Sequence, residues 1–218
     1  MINNLGLQNT LFNQFISELR DENTQKDRMR FRKNLQRIGE IFAYEISKTM
    51  TYEPREVQTP LGTKIMNLLV EQPVICSILR AAVPLHDGLL NYFDQADNGF
   101  ISAYRKHEKL GEITIRMDYL ATPEIENRKL ILCDPMLATG SSMLASYEAL
   151  CELGKPKHTH MVTVVAHQEA IDYIHKNIPS RDFTLWVGAV DEELTSQAYI
   201  VPGLGDAGDL AYGPKIQN

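Results

Sequence analysis

Arg128-Lys-Leu-Ile-Leu-Cys-Asp-Pro-Met-Leu-Ala-Thr-Gly-Ser-Ser-Met143 places a strand, an acid, a loop of small residues and a helix in that order. The run Lys129 to Cys133 is short, apolar and bounded, which marks a buried strand. It ends on Asp134. After a turn marked by Pro135, the small side chains Thr139, Gly140, Ser141 and Ser142 open a helix that runs to about Leu153. A helix start presents N–H groups without intrahelical partners and the positive end of the helix dipole, so it suits a phosphate. Hydroxyls of Thr139, Ser141 and Ser142 add donors, and Gly140 lets the backbone come close. A carboxylate beside a phosphate is repulsive unless it holds sugar hydroxyls or a metal ion, so Asp134 suggests a sugar phosphate. A plain strand-to-helix turn with an Asx-type bond and a Ser/Thr cap has the same residues, and on these alone both readings stand.

Outward from this stretch, apolar runs alternate with helical patterns. Strands are expected at Pro73 to Leu79, Phe100 to Tyr104, His160 to Ala166 and Phe183 to Val187. Helices are expected at Pro84 to Phe93, with Pro in the first turn, and at about Gln168 to Lys176. Such alternation implies an α/β fold, a mostly parallel twisted sheet flanked by helices, with ligands at the carboxyl ends of strands. Arg80, Arg105 and Asp134 would then stand just past three strands, on one edge.

Leu11, Phe12, Phe15, Ile16 and Leu19 recur at helical spacing, and a second, longer helix, capped by Thr24, would bury Phe31, Leu35, Ile38, Phe42 and Ile46. Lys26, Arg28, Arg30, Arg32, Lys33 and Arg37 make a basic strip there, read as a solvated helix face or as a subunit or effector contact. Pro54 to Gly62 reads as a connecting segment with Thr59-Pro-Leu-Gly as its turn. Between Arg105 and Arg128, Ile113, Ile115 and Met117 alternate with polar residues, which reads as a β-hairpin arm.

At 218 residues, with 44% hydrophobic and 23% charged, the chain suits one sizeable core. One domain over 1–218 is expected, with N-terminal helices in 1–50, the arm in 105–128 and a C-terminal segment in 188–218. A net charge of −6 and a pI near 5.5 argue against nucleic acid or an anionic membrane as partner. Cys76, Cys133 and Cys151 lack paired or metal-like spacing and are expected as buried, reduced thiols of a cytoplasmic protein. No apolar run approaches membrane-spanning length.

Asp134-Pro-Met-Leu-Ala-Thr-Gly140 resembles the phosphoribosyl-diphosphate (PRPP) signature of uracil phosphoribosyltransferases, in which Pro135 replaces a second acid. Ser77-Ile-Leu-Arg-Ala-Ala-Val-Pro84 resembles their diphosphate loop, Tyr104-Arg105 their second diphosphate-binding Arg, and Ala198-Tyr-Ile-Val-Pro-Gly-Leu-Gly-Asp-Ala-Gly-Asp209 their uracil-binding hood. The resemblance spans about Lys26 to Gly213. It implies the type I phosphoribosyltransferase fold, transfer of phosphoribosyl from PRPP to N1 of uracil to give UMP, and Mg²⁺ carried by PRPP rather than held directly. It implies catalytic roles for Arg80, Arg105, Asp134 and Asp206. PRPP would meet those four together with Pro135, Met136, Leu137, Ala138, Thr139, Gly140, Ser141 and Ser142. Uracil would meet Ile200, Gly205, Asp206 and Ala207. Some members of the family respond to GTP, and the arm and N-terminal helices suggest a homodimer or larger assembly.

Ala82 and Ser141 stand where the family usually has Gly. If the backbone at 82 needs a positive φ, its methyl group would hinder the loop, and a catalytically weak nucleotide-sensing regulator on the same fold becomes the alternative. Gly203-x-Gly205-x-x-Gly208 formally matches a dinucleotide fingerprint, but ten residues after it are too few for the rest of that unit. His158 and His160 share a strand face without a third ligand, which disfavours zinc. His167 is expected as an exposed loop residue.

Overall fold

The computed structural model describes residues 1–107 and 113–216, and of 103–107 and 113–117 the backbone alone. Along the chain come β1 (Ile2–Asn4), α1 (Leu11–Arg20), α2 (Arg28–Ser47), β2 (Tyr52–Thr59), β3 (Gly62–Leu69), β4 (Val74–Ile78), α3 (Val83–Leu90), β5 (Asp97–His107) and β6 (Ile113–Ala121). There follow β7 (Lys129–Cys133), β8 (Met136–Leu137), α4 (Ser141–Leu153), β9 (His158–His167), α5 (Gln168–Asn177), β10 (Phe183–Asp191), β11 (Glu193–Leu194), β12 (Ile200–Val201) and α6 (Ala207–Tyr212).

An eight-stranded sheet runs β1-β10-β9-β7-β4-β5-β6, with β8 added beside β9. Its pairings are parallel except that of β5 with β6. Successive strand residues serve opposite faces. Ile75, Ile131 and Val162 pack with Phe12, Phe42 and Leu85 of α1, α2 and α3. Cys76, Leu132 and Met161 pack with Leu144, Leu150 and Ile171 of α4 and α5. Burial on both faces is why these strands read as unbroken apolar runs. Helices α2 and α3 cross where Gly39 meets Gly88, and a Cβ on Gly88 would lie 2.0 Å from the Gln36 carbonyl oxygen. That close crossing seats α3, which begins just after Arg80.

Several expectations are corrected. Residues 54–62 are no plain connector: β2 and β3 form an antiparallel hairpin about the expected turn, with Thr59 opposite Gly62. Thr24 does not cap α2. It begins a 3-10 turn, and Asp27 caps the helix, its carboxylate accepting from the Arg30 N–H at 3.1 Å. Cys76 and Cys133 are buried thiols, but Cys151 is only half-buried. His167 is not in an exposed loop; it closes β9 and is 4% exposed. Residues 188–191 still belong to β10, so the C-terminal segment leaves the sheet only after Asp191. Residues 108–112 of the expected arm lie outside those described.

Candidate active site

Strand β7 delivers Asp134 to the carboxyl edge of the sheet, and the loop after it stays attached to β9. The Pro135 carbonyl accepts from the N–H groups of Val164 (3.1 Å) and Val165 (3.0 Å). Met136 and Leu137 then pair with Val165 and Ala166. Beyond Leu137 the chain bends through Ala138 and Thr139 to Gly140, whose φ of +81° leads into α4. Helix α4 starts without a side-chain cap. The Ser141 N–H reaches Thr139 Oγ1 at 3.4 Å, and the Thr139 hydroxyl donates to Ser141 Oγ at 3.2 Å. Asp134 is half-buried and accepts from the Met136 N–H at 3.3 Å.

The C-terminal segment folds back over this loop. Asp206 caps α6 by accepting from the Asp209 N–H at 2.9 Å, and its other oxygen takes Lys215 Nζ at 2.6 Å. Burial pushes the Asp206 carboxyl up, but the bonds from Lys215 and the Asp209 N–H outweigh it and leave it below its ordinary value. Between loop and hood opens a cleft of about 200 Å³, lined by Asp134, residues 136–140 and Ser142 on one side and by Ile200 and residues 205–208 on the other.

The structure therefore unites most of the expected site. Pro135 lies buried behind the lining, and Ser141 sets the first turn of α4. Arg80 stands beside the hood: its guanidinium donates to Asp209 Oδ1 at 3.0 Å and to the Gly213 carbonyl at 3.2 Å. Arg105 does not follow a strand. It lies within β5, opposite Ile115, and its side chain is outside the description. Ala82 has φ −74° and is fully buried as the N-cap of α3, so an ordinary right-handed backbone accepts its methyl group. Asp209 and Lys215, which bridge Arg80 and Asp206, were not singled out from sequence. Their signal was an acid and a base in a Gly-dense tail, and nothing local named their partners.

A hydrogen-bond chain runs from exposed Asn98 to the buried side chains of His86, Ser77 and Cys133. Asn98 Nδ2 donates to the Ala96 carbonyl at 2.8 Å, which orients Asn98 Oδ1 to accept from His86 Nε2 at 2.7 Å. His86 Nδ1 is then unprotonated and accepts from the Ser77 hydroxyl, whose oxygen takes the Cys133 S–H at 3.5 Å. Burial keeps the His86 imidazole below its ordinary value and pushes the Cys133 thiol up to about 12. The chain ties β4, which leads to Arg80, to β7, which leads to Asp134.

His158 and His160 do share a strand face, with ring centroids 5.0 Å apart, and Trp186 Nε1 donates to His160 Nδ1 at 3.1 Å. Four members of the basic strip are engaged within the chain. Arg30 pairs with Glu18, Arg32 donates to the Ala211 carbonyl, Lys33 meets Gln36, and Arg37 meets Asn34.

A family model described as uracil phosphoribosyltransferase matches residues 6–214. The chain belongs to that family. The uracil phosphoribosyltransferase of Porphyromonas gingivalis is 49% identical over 212 residues, covering 97% of this chain and 98% of that one. The uracil phosphoribosyltransferase of Thermococcus gammatolerans is 39% identical, with 94% and 90% covered. A solved structure, the AQ2163 protein of Aquifex aeolicus, matches with a TM-score of 0.86 and 30% identity over 100% of both chains. The parallel sheet, the loop at Asp134 and the hood thus belong to a glycosyltransferase of the phosphoribosyltransferase class. Among the described residues no helix is long and apolar enough to cross a membrane.

Proposed function

We propose that this protein transfers the phosphoribosyl group of PRPP to N1 of uracil, yielding UMP and diphosphate. The observation that carries this is the single cleft between the Asp134–Ser142 loop and the hood at Ile200 and Gly205 to Ala207. One wall offers a helix start for a 5′-phosphate and a carboxylate for ribose hydroxyls. The other offers main-chain groups.

In the reaction the bond from C1 of the ribose to the diphosphate oxygen breaks, a bond from C1 to N1 forms, and the N1 proton is lost. Positive charge builds on the sugar ring as the diphosphate departs, as in other glycosyl transfers. The N–H groups at the start of α4, with Thr139 and the hydroxyls of Ser141 and Ser142, anchor the 5′-phosphate. Asp134 holds the ribose hydroxyls and, being negative, favours the charged ring. Arg80 and Arg105 steady the leaving diphosphate. Uracil presents an acceptor, donor, acceptor edge, which backbone N–H and C=O groups at Ile200 and Gly205 to Ala207 read without a charged side chain. Asp206 faces PRPP. Mg²⁺ enters with PRPP as part of the substrate; the oxygens of Asp134 and Asp206 are donors a hard cation accepts.

No side chain is needed as a covalent nucleophile. Positioning and charge stabilisation supply the rate gain. The exposed apolar residues of the β2–β3 hairpin, Leu61, Ile65 and Met66, support self-association of the chain. Lys26 and Arg28, beside the hood, support an anionic effector such as GTP.

The test is incubation with PRPP, Mg²⁺ and each free base in turn, with nucleotide products resolved by chromatography. UMP from uracil alone is expected. Nucleotide from a purine base, or tight UMP binding without turnover, would overturn the assignment.

A further inference from the structure

Helix α1 and strand β10 end at the same place. Arg20 is the last residue of the first and Asp191 the last of the second. Their side chains form a two-bond fork, with Arg20 Nη1 donating to Asp191 Oδ2 at 2.8 Å and Nη2 to Oδ1 at 2.9 Å. Both then grip one residue of the hood. Arg20 Nη1 also donates to the Gly203 carbonyl at 2.8 Å, and the Gly203 N–H donates to Asp191 Oδ2 at 3.0 Å. Both main-chain polar groups of Gly203 are thus held by one ion pair, which is 23% exposed at Arg20 and 8% at Asp191.

Gly203 is the point where the hood turns. Its φ is +53°, and a Cβ there would lie 2.0 Å from the Ile200 carbonyl oxygen. The turn joins Ile200 to Gly205, both in the cleft wall, and Leu204 between them is 3% exposed. Forked, charge-assisted hydrogen bonds are directional and strong, so they set orientation as well as distance. Neither side chain of the pair is needed at the other wall of the cleft, where Asp134 and the start of α4 stand. The pair therefore acts on one wall only.

Given the site assignment above, on which this rests, we propose that Arg20 and Asp191 are positioning residues for the pyrimidine. Through Gly203 they fix the main-chain groups at Ile200 and Gly205 to Ala207, so that uracil finds a formed edge instead of having to order one. Loosening the grip makes uracil bear that ordering cost, while PRPP, held mainly by the other wall and meeting this one only at Asp206, which Lys215 and the Asp209 N–H orient separately, bears less of it.

Steady-state kinetics with each substrate varied separately, together with PRPP binding by calorimetry, tests this. Arg20→Met, which keeps the apolar stem and loses the fork, is expected to raise the KM for uracil about tenfold or more, with PRPP affinity within about twofold of wild type. Arg20→Lys keeps one charged donor and is expected to recover part of the loss. Asp191→Asn, which preserves shape and an acceptor for the Gly203 N–H, is a milder second variant, expected to show the same split at about threefold. An unchanged uracil KM, or equal losses for both substrates accompanied by a lowered melting temperature, would overturn the inference while leaving the uracil reaction intact. A wild-type protein that makes no UMP would overturn the site assignment itself, and this inference with it.

Discussion

Gly140→Ala probes the joint on which the proposed phosphate wall turns. Gly140 has φ +81°, and placing a Cβ in that left-handed region costs about 1–2 kcal/mol. The new methyl would also lie 2.9 Å from Tyr173 Cδ1 and 3.2 Å from the Ala170 carbonyl oxygen. Tyr173 is 39% exposed and its ring has room to swing away, but the carbonyl belongs to α5 and must be displaced. Overpacking of that kind adds about 1–3 kcal/mol, so the total is roughly 2–5 kcal/mol. The chain relieves part of it by shifting the start of α4, where a displacement near 1 Å costs about a hundredfold in rate. UMP formation at varied PRPP should show kcat/KM for PRPP reduced at least about tenfold, and urea denaturation should show the lost stability. Gly62→Ala, in the β2–β3 hairpin away from the cleft, is the control for strain without contact: φ is +152°, yet no described atom would lie within 4 Å of its Cβ. A Gly140→Ala enzyme with wild-type kinetics and stability would refute the assignment of this turn to the phosphate.

Arg105→Ala should weaken PRPP use strongly with the fold intact by circular dichroism; unchanged kinetics would remove Arg105 from the site. Ser77→Ala strips His86 Nδ1 of its donor and Cys133 of its acceptor, so a loss of about 1–3 kcal/mol in urea denaturation is expected; an unaltered midpoint would mean the chain contributes nothing. Burial above all, then the charges of His158 and Lys129, hold His160 at about 3, well below 6.5. The unfolded chain therefore binds the extra proton between those values, and stability falls as pH drops below 6.5, by about 1.4 kcal/mol per unit. His160→Gln removes that titration, so the stability of wild type relative to this variant should fall from pH 6.5 to 4.5. Parallel stability curves for the two proteins would exclude His160 as the titrating group.

What was legible from sequence followed from burial. Strands β4, β7 and β9 are covered on both faces, so their apolar runs stand out without any tertiary knowledge. The hairpin β2–β3 is exposed along nearly its whole length, with Pro54 in its first strand, and so carries no two-residue apolar period. Strand β1 is three residues, Ile2-Asn-Asn4, and exists because Leu185, Trp186 and Val187 of β10 pair with it. His167 is expected in a loop because it follows the apolar run that ends at Ala166, but its register opposite Asp191 keeps it in β9. The two walls of the cleft were legible as motifs. The fork from Arg20 to Asp191 was not, because 171 positions separate its halves and only the packing of α1 brings them together.

The charges beside the cleft follow the same logic. A chain of net charge −6 that is to bind a diphosphate must concentrate cations locally, and an unpaired arginine would leave its donors idle when the site is empty. Here Arg80 is paired with Asp209, while Lys215 lies 2.6 Å from Asp206 and 3.5 Å from Asp209. Both members of the Arg80–Asp209 pair are more than a third exposed in the arginine and about a third in the acid, so water screens it and its rupture is inexpensive. On the proposed reading, an arriving diphosphate takes Arg80 from Asp209, and Lys215 remains to neutralise the acid. Exchange of one charged partner for another keeps every donor satisfied at each stage, which suits a site that must both hold its leaving group and let it go.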